Sequence, residues 1–145
     1  MLLRALLVLS FFLLPAFAAA AAPPQAERPL APASVPGART VTAEAVVELV
    51  GAQPGVVIID SRRREEFDKG HIDGATNLLD TELTRKKLAR LAPARDRPLL
   101  FYCNGERCLR SSNSARQALS WGYVNVYWFR GGWQEWTAKN LPVAR

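Results

Sequence analysis

The chain has 145 residues, 49% of them hydrophobic, and a formal charge of +6. That length argues for one domain with one modest core and against a multidomain enzyme. The basic balance admits nucleic acid or small anions as partners, while one histidine and two cysteines make a poor donor set for a metal, so neither a metal nor a cofactor is expected.

Met1-Leu2-Leu3-Arg4 precedes an almost wholly apolar run from Ala5 to Pro15, and Ala16-Phe17-Ala18 fits the small-x-small pattern of a cleavage site. The run is shorter than the roughly 20 residues a spanning helix needs. Residues 1–18 therefore read as a secretory signal peptide, implying a periplasmic or secreted protein with no membrane association after cleavage. Export argues against nucleic acid and leaves small anions as the expected partners. Residues 19–38 are Ala-rich and carry Pro23, Pro24, Pro29, Pro32 and Pro36. They offer little to pack and read as an extended linker, so the folded domain is expected over 39–145.

Thr42 is placed to cap a helix whose apolar face is Ala45, Val46, Leu49 and Val50, with Gly51 able to end it. Val56 to Ile59 is a continuous β-branched run, the signature of a buried parallel strand, and Asp60 follows at its carboxyl end. Arg62 to Lys69 is charged, a solvated turn or short helix in which Arg62 is expected to pair with Glu65 or Glu66. Gly70-His71-Ile72-Asp73-Gly74-Ala75 is turn-rich. Thr81 to Leu91 is amphipathic, with Leu83, Leu88 and Leu91 inward and Arg85, Lys86, Lys87 and Arg90 outward. Pro98 to Tyr102 reads as the next buried strand. A polar loop and a helix through Ala115, Ala118, Leu119 and Trp121 follow. Val124 to Phe129 is a final strand, Gly131-Gly132 a turn, and Trp133 to Asn140 a closing helix. The aromatics Trp121, Tyr123, Tyr127, Trp128, Trp133 and Trp136 fit core and helix-to-sheet packing. The alternation predicts an α/β fold, an open parallel sheet with helices on both faces. Ligands of such sheets sit outside the carboxyl ends of the strands, where Asp60 and Cys103 both fall.

Cys103 is the candidate nucleophile. A strand, tight loop and helix in succession place its sulfur above a helix amino terminus, where converging N–H groups favour an anion. A thiol there ionises readily, and the thiolate is the reactive form. Cys108 lies in the same loop. In an oxidising compartment two cysteines point to a disulfide, yet a bridge over so short a segment staples little, and a redox or catalytic role is an equal alternative.

The motifs together resemble the rhodanese family of sulfurtransferases. Asp60-Ser61-Arg62, Glu66-Phe67 and Gly70 to Asn77 look like that family's first signature. Phe101 to Gly105, with Arg110-Ser111 beyond, looks like its active-site loop. Gly122 to Tyr127, Gly131 to Trp136 and Leu141-Pro142-Val143 look like its carboxyl end. The resemblance, from about Thr40 to Val143, implies a small α/β domain in which Cys103 takes sulfane sulfur from thiosulfate or a similar anionic donor as a persulfide. Cyanide or a thiol would then accept it, with no cofactor and the protein a monomer. It implies that the loop Asn104, Gly105, Glu106, Arg107, Cys108, Leu109 and Arg110 binds the donor. Its N–H groups would cradle the thiolate or persulfide, Gly105 would permit a sharp turn, and Arg107 and Arg110 would draw the anion. The resemblance also makes His71 part of a structural turn rather than a catalytic base.

The loop departs from the family pattern. It runs about two residues longer than in the commonest single-domain members, and Cys108 is an additional thiol. Cys103 to Arg110 is C-x6-R, one residue longer than the loop of the related cell-cycle phosphatases, and export removes phosphoprotein substrates. Two further readings stand beside the sulfurtransferase: a thiol–disulfide or persulfide redox module in which Cys108 resolves Cys103, and a rhodanese-like binding module without turnover.

Overall fold

The computed structural model describes residues 28–145; the expected signal peptide and the first part of the expected linker lie outside the described residues. Five strands form one sheet: β1 (Arg39–Val41), β2 (Val57–Asp60), β3 (Thr76–Asn77), β4 (Leu99–Tyr102) and β5 (Val126–Phe129). Their order is β1-β5-β4-β2-β3 and every pair is parallel. The helices are α1 (Ala43–Ala52), α2 (Arg64–Lys69), α3 (Arg85–Leu91), α4 (Arg110–Ser120) and α5 (Gly132–Ala138).

The period-two alternation of side chains along a strand sorts the core into two layers. Ile59, Leu99, Phe101, Val126 and Trp128 face one side and pack on Leu88 of α3 and Ala115 and Ala118 of α4. Ile58, Leu100, Tyr102, Tyr127 and Phe129 face the other and pack on Ala43, Val46 and Leu49 of α1 and Trp136 of α5. Each fully buried aliphatic or aromatic side chain contributes about 1.5–3 kcal/mol. The expected sheet with helices on both faces is the observed one.

Local chemistry sets the helix limits. The Thr42 hydroxyl accepts from the Ala45 N–H and opens α1, which runs past Gly51 to Ala52 because the Gln53 N–H still reaches the Leu49 carbonyl. The helix expected from Thr81 begins only at Arg85, where Thr84 caps it through the Lys87 N–H. Leu83 is buried from the turn before it.

Residues 28–38 do not behave as a linker. Ala31 is buried and Val35 is 1% exposed, both within the first core layer. The Ala31 N–H donates to the Glu106 carbonyl at 2.6 Å, and Arg130 donates to the carbonyls of Pro32 (2.9 Å) and Ala31 (3.2 Å). Prolines remove backbone donors but leave carbonyls, and an arginine from the end of β5 uses them. The packed chain therefore starts upstream of the expected boundary at Arg39.

Candidate active site

β4 delivers Tyr102 and Cys103 to the carboxyl edge of the sheet, where Tyr102 lies between Asp60 of β2 and Phe129 of β5 in register. The chain then crosses a loop, 104–109, and enters α4. Leu109 occupies the N-cap position of α4 and no side chain caps that end. The N–H groups of its first turn therefore receive no side-chain cap.

The start of α5 clamps the loop. The Trp133 N–H donates to the Cys103 carbonyl at 2.8 Å and the Gln134 N–H to the Asn104 carbonyl at 2.9 Å. This approach requires glycine at 132, whose φ is +55° and where a Cβ would collide with the Cys103 carbonyl. Gly105, expected to supply a sharp turn, is not in the left-handed region; a Cβ there would instead strike the Gln134 amide. The turn closes through the Cys108 N–H, which donates to the Gly105 carbonyl at 3.0 Å.

That turn brings the two cysteines together. Cys103 is bonded to Cys108, with Cα atoms 6.1 Å apart, inside the range disulfides require. The loop holds this bridge with both α5 clamps in place. Cys103 is 1% exposed, whereas Cys108 is half-buried and lines an open pocket of about 690 Å³. In the bridged form Cys103 is thus the buried sulfur and Cys108 the more accessible one.

Of the predicted binding residues, Asn104, Gly105, Arg107, Cys108, Leu109 and Arg110 line this pocket. Glu106 does not: its carboxylate pairs with Arg130 and it borders an adjacent hollow beside Leu30 and Glu135. Five lining residues were not anticipated: Arg28, Pro29, Glu66, Trp133 and Gln134. The Gly131-Gly132 doublet at the carboxyl end of β5 was a signal for Trp133 and Gln134, since it falls at the same sheet edge. Arg107 donates to the Arg28 carbonyl at 2.7 Å, fixing the upstream segment against the loop. Glu66 accepts from Asn104 at 2.8 Å and lies 3.8 Å from Arg110. Burial pushes the Glu66 carboxyl up, but the hydrogen bonds from Asn104 and the Arg63 N–H, with the charges of Arg110 and Arg62, hold it below its ordinary value.

Beneath the pocket lies a buried polar network. Arg62, expected to pair with Glu65 or Glu66, instead pairs with Asp60 through contacts of 2.6 to 3.0 Å. The chain folds back at the end of β2, so the Arg62 N–H also reaches the Asp60 carboxylate at 2.9 Å. The Tyr102 hydroxyl donates to Asp60 at 2.5 Å and accepts from the Ile72 N–H at 3.1 Å. Burial works against the Arg62 charge, but the hydrogen bond and charge of Asp60 overcome it and raise its pKa. Burial, then the charge and hydrogen bond of Asp60, push the Tyr102 phenol far above its ordinary value. Arg62 also lies 4.3 Å over the Trp133 ring and donates to the Gly70 carbonyl, which carries the network up to the pocket wall. His71 stands apart from the pocket. Its ring stacks on Phe67 at 3.7 Å, its Nδ1 lies 3.0 Å from the Phe67 carbonyl, and its backbone bridges to Ala144.

Residues 42–139 of this parallel α/β domain match the model of the rhodanese-like domain, and the chain belongs to that family. It is similar to the uncharacterized protein YibN of Escherichia coli K12, with 30% identity over 108 residues that cover 74% of this chain and 73% of YibN. Among solved structures it is similar to a thiosulfate sulfurtransferase from Pseudomonas aeruginosa, with a TM-score of 0.60 and 27% identity over 74% of this chain; the match spans 20% of that longer protein. It is also similar to the human single-domain sulfurtransferase TSTD1, with a TM-score of 0.56 and 27% identity, covering 70% of this chain and 97% of TSTD1.

Proposed function

We propose that the chain is an exported, monomeric sulfurtransferase that carries sulfane sulfur on Cys103 from thiosulfate, or a similar small anionic donor, to cyanide or a thiol. The observation that carries this reading is the position of Cys103, at the carboxyl end of β4 before the uncapped start of α4 and beside a pocket that Arg28, Arg107 and Arg110 line. The kinship with sulfurtransferases supports it. The working form is reduced. The Cys103 thiolate attacks the sulfane sulfur of thiosulfate, the S–S bond of the donor breaks, and sulfite leaves with the bonding pair. The product is a Cys103 persulfide anion. Loop N–H groups stabilise that charge without a metal, and the arginines raise the local concentration of a dianionic donor. Cyanide then takes the outer sulfur as thiocyanate and returns the thiolate.

The test is thiocyanate formation from thiosulfate and cyanide by the pre-reduced protein. Cys103→Ser should abolish it while the thermal transition persists; substantial turnover by that variant overturns the assignment. The Cys103–Cys108 bridge favours a second reading, a thiol–disulfide module, which predicts disulfide exchange with small thiols but no sulfur loading on Cys103.

A further inference from the structure

We propose that Cys108 resolves the Cys103 persulfide, so that the site releases hydrosulfide and is then restored by a dithiol reductant. This rests on the sulfurtransferase reading and adds to it a product and a partner class. The disulfide brings the two Sγ atoms into contact without dismantling the loop: the Gly105–Cys108 turn is closed, and the Trp133 and Gln134 N–H groups still hold the carbonyls of Cys103 and Asn104. In a persulfide, the Cys103 Sγ is the inner of the two sulfurs. Attack on that atom by the Cys108 thiolate forms the very bond seen in the structure.

The step balances. The Cys108 thiol loses its proton to become the attacking thiolate, the Cys103 Sγ–Sγ Cys108 bond forms, and the bond to the outer sulfur breaks. The outer sulfur leaves with the electron pair and takes up the proton as hydrosulfide. The two cysteines are oxidised together by two electrons and the sulfane sulfur is reduced by two. A dithiol then reduces the bridge and becomes a disulfide itself. Over the cycle, thiosulfate and a dithiol give sulfite, sulfide and a disulfide.

Proximity favours this route over an external acceptor. Cys108 is tethered five positions away, at an effective concentration of the order of millimolar or more. Cys108 also lines the pocket, whereas Cys103 is buried. The same exposure makes Cys108 the sulfur that an incoming dithiol attacks, with Cys103 as the leaving thiolate.

The experiment uses the full mature chain, reduced, freed of reductant and held without oxygen, then given thiosulfate alone. Sulfite, sulfide and intact mass are read together. The expected result is one sulfite and one sulfide per chain and a mass two hydrogens below the reduced protein. Cys108→Ser, or Cys108→Ala, should gain one sulfur atom, release sulfite and release no sulfide. Native protein that keeps the added sulfur and yields no sulfide overturns the resolving role while leaving the sulfurtransferase reading in place. Absence of sulfite and of any mass gain in both proteins overturns the sulfurtransferase reading, and this inference with it.

Discussion

Replacing Asp60 with alanine isolates the energetics of the network under the pocket. Arg62 is 1% exposed, and the Asp60 carboxylate is its charged partner. Asp60→Ala leaves that guanidinium buried with only the Gly70 carbonyl and the aromatic faces of Tyr102 and Trp133. Breaking a buried pair by removing one partner costs about 3–5 kcal/mol. The Tyr102 hydroxyl loses its acceptor in the same change, so the upper half of that range is expected. With a urea slope of about 2 kcal/mol/M, the unfolding midpoint should fall by about 2 M. Asp60→Ala together with Arg62→Met removes both charges and should recover a large part of the loss, because what costs energy is the orphaned charge and not the missing bridge. Urea unfolding under non-reducing conditions measures all of this, with Asp60→Asn as a milder variant should the alanine protein be too unstable. A loss below about 1 kcal/mol for Asp60→Ala, or a double variant no more stable than the single, would refute the reasoning.

Arg110→Ala should raise the thiosulfate concentration needed for half-maximal thiocyanate formation several-fold, with little change in the urea midpoint; an unaltered concentration dependence makes Arg110 only a partner of Glu66. The depressed Glu66 carboxyl contributes stability that is fully present above its ordinary value of 4.5 and is lost as pH falls through its lower folded value. Glu66→Gln should therefore flatten the acid limb of the stability curve below about pH 4.5, as read by thermal unfolding across pH. Val35→Ala should cost about 1–2 kcal/mol, the loss of two buried carbons, whereas a residue in a free linker would cost nothing measurable.

The three central strands were legible because buried parallel strands are runs of apolar residues, and β2, β4 and β5 are such runs. β1 and β3 were not. Arg39 and Thr40 are exposed and carry no alternation; they are strand only because β5 offers them an edge. β3 is two residues beside the end of β2. Cys103 was legible because strand, loop and helix are each local signals. The partner of Arg62 was not, since helical spacing favours Glu65 and Glu66 while the observed pairing depends on the chain doubling back at the sheet edge. Glu66 and Arg28 reach the pocket from elements far apart in sequence, and nothing in their neighbours marks them. The packing of Ala31 and Val35 was hidden by composition: five prolines dominate the segment, and the two apolar residues that seat it carry no period.

The first residues of the upstream segment meet the domain at the stretch of loop between the two cysteines. Arg28 lies at the mouth of the pocket, with its carbonyl held by Arg107, and three residues later Ala31 is held by Glu106. Arg28 itself therefore sits beside the entrance. A tension applied through Arg28 would load the Arg107 and Glu106 contacts before any other part of the fold, so the loop that carries both cysteines would be the first to feel a pull. A bulky body joined just before Arg28 would shade the entrance, and a domain excised at Thr42, where the family match begins, would lack one wall of its own pocket.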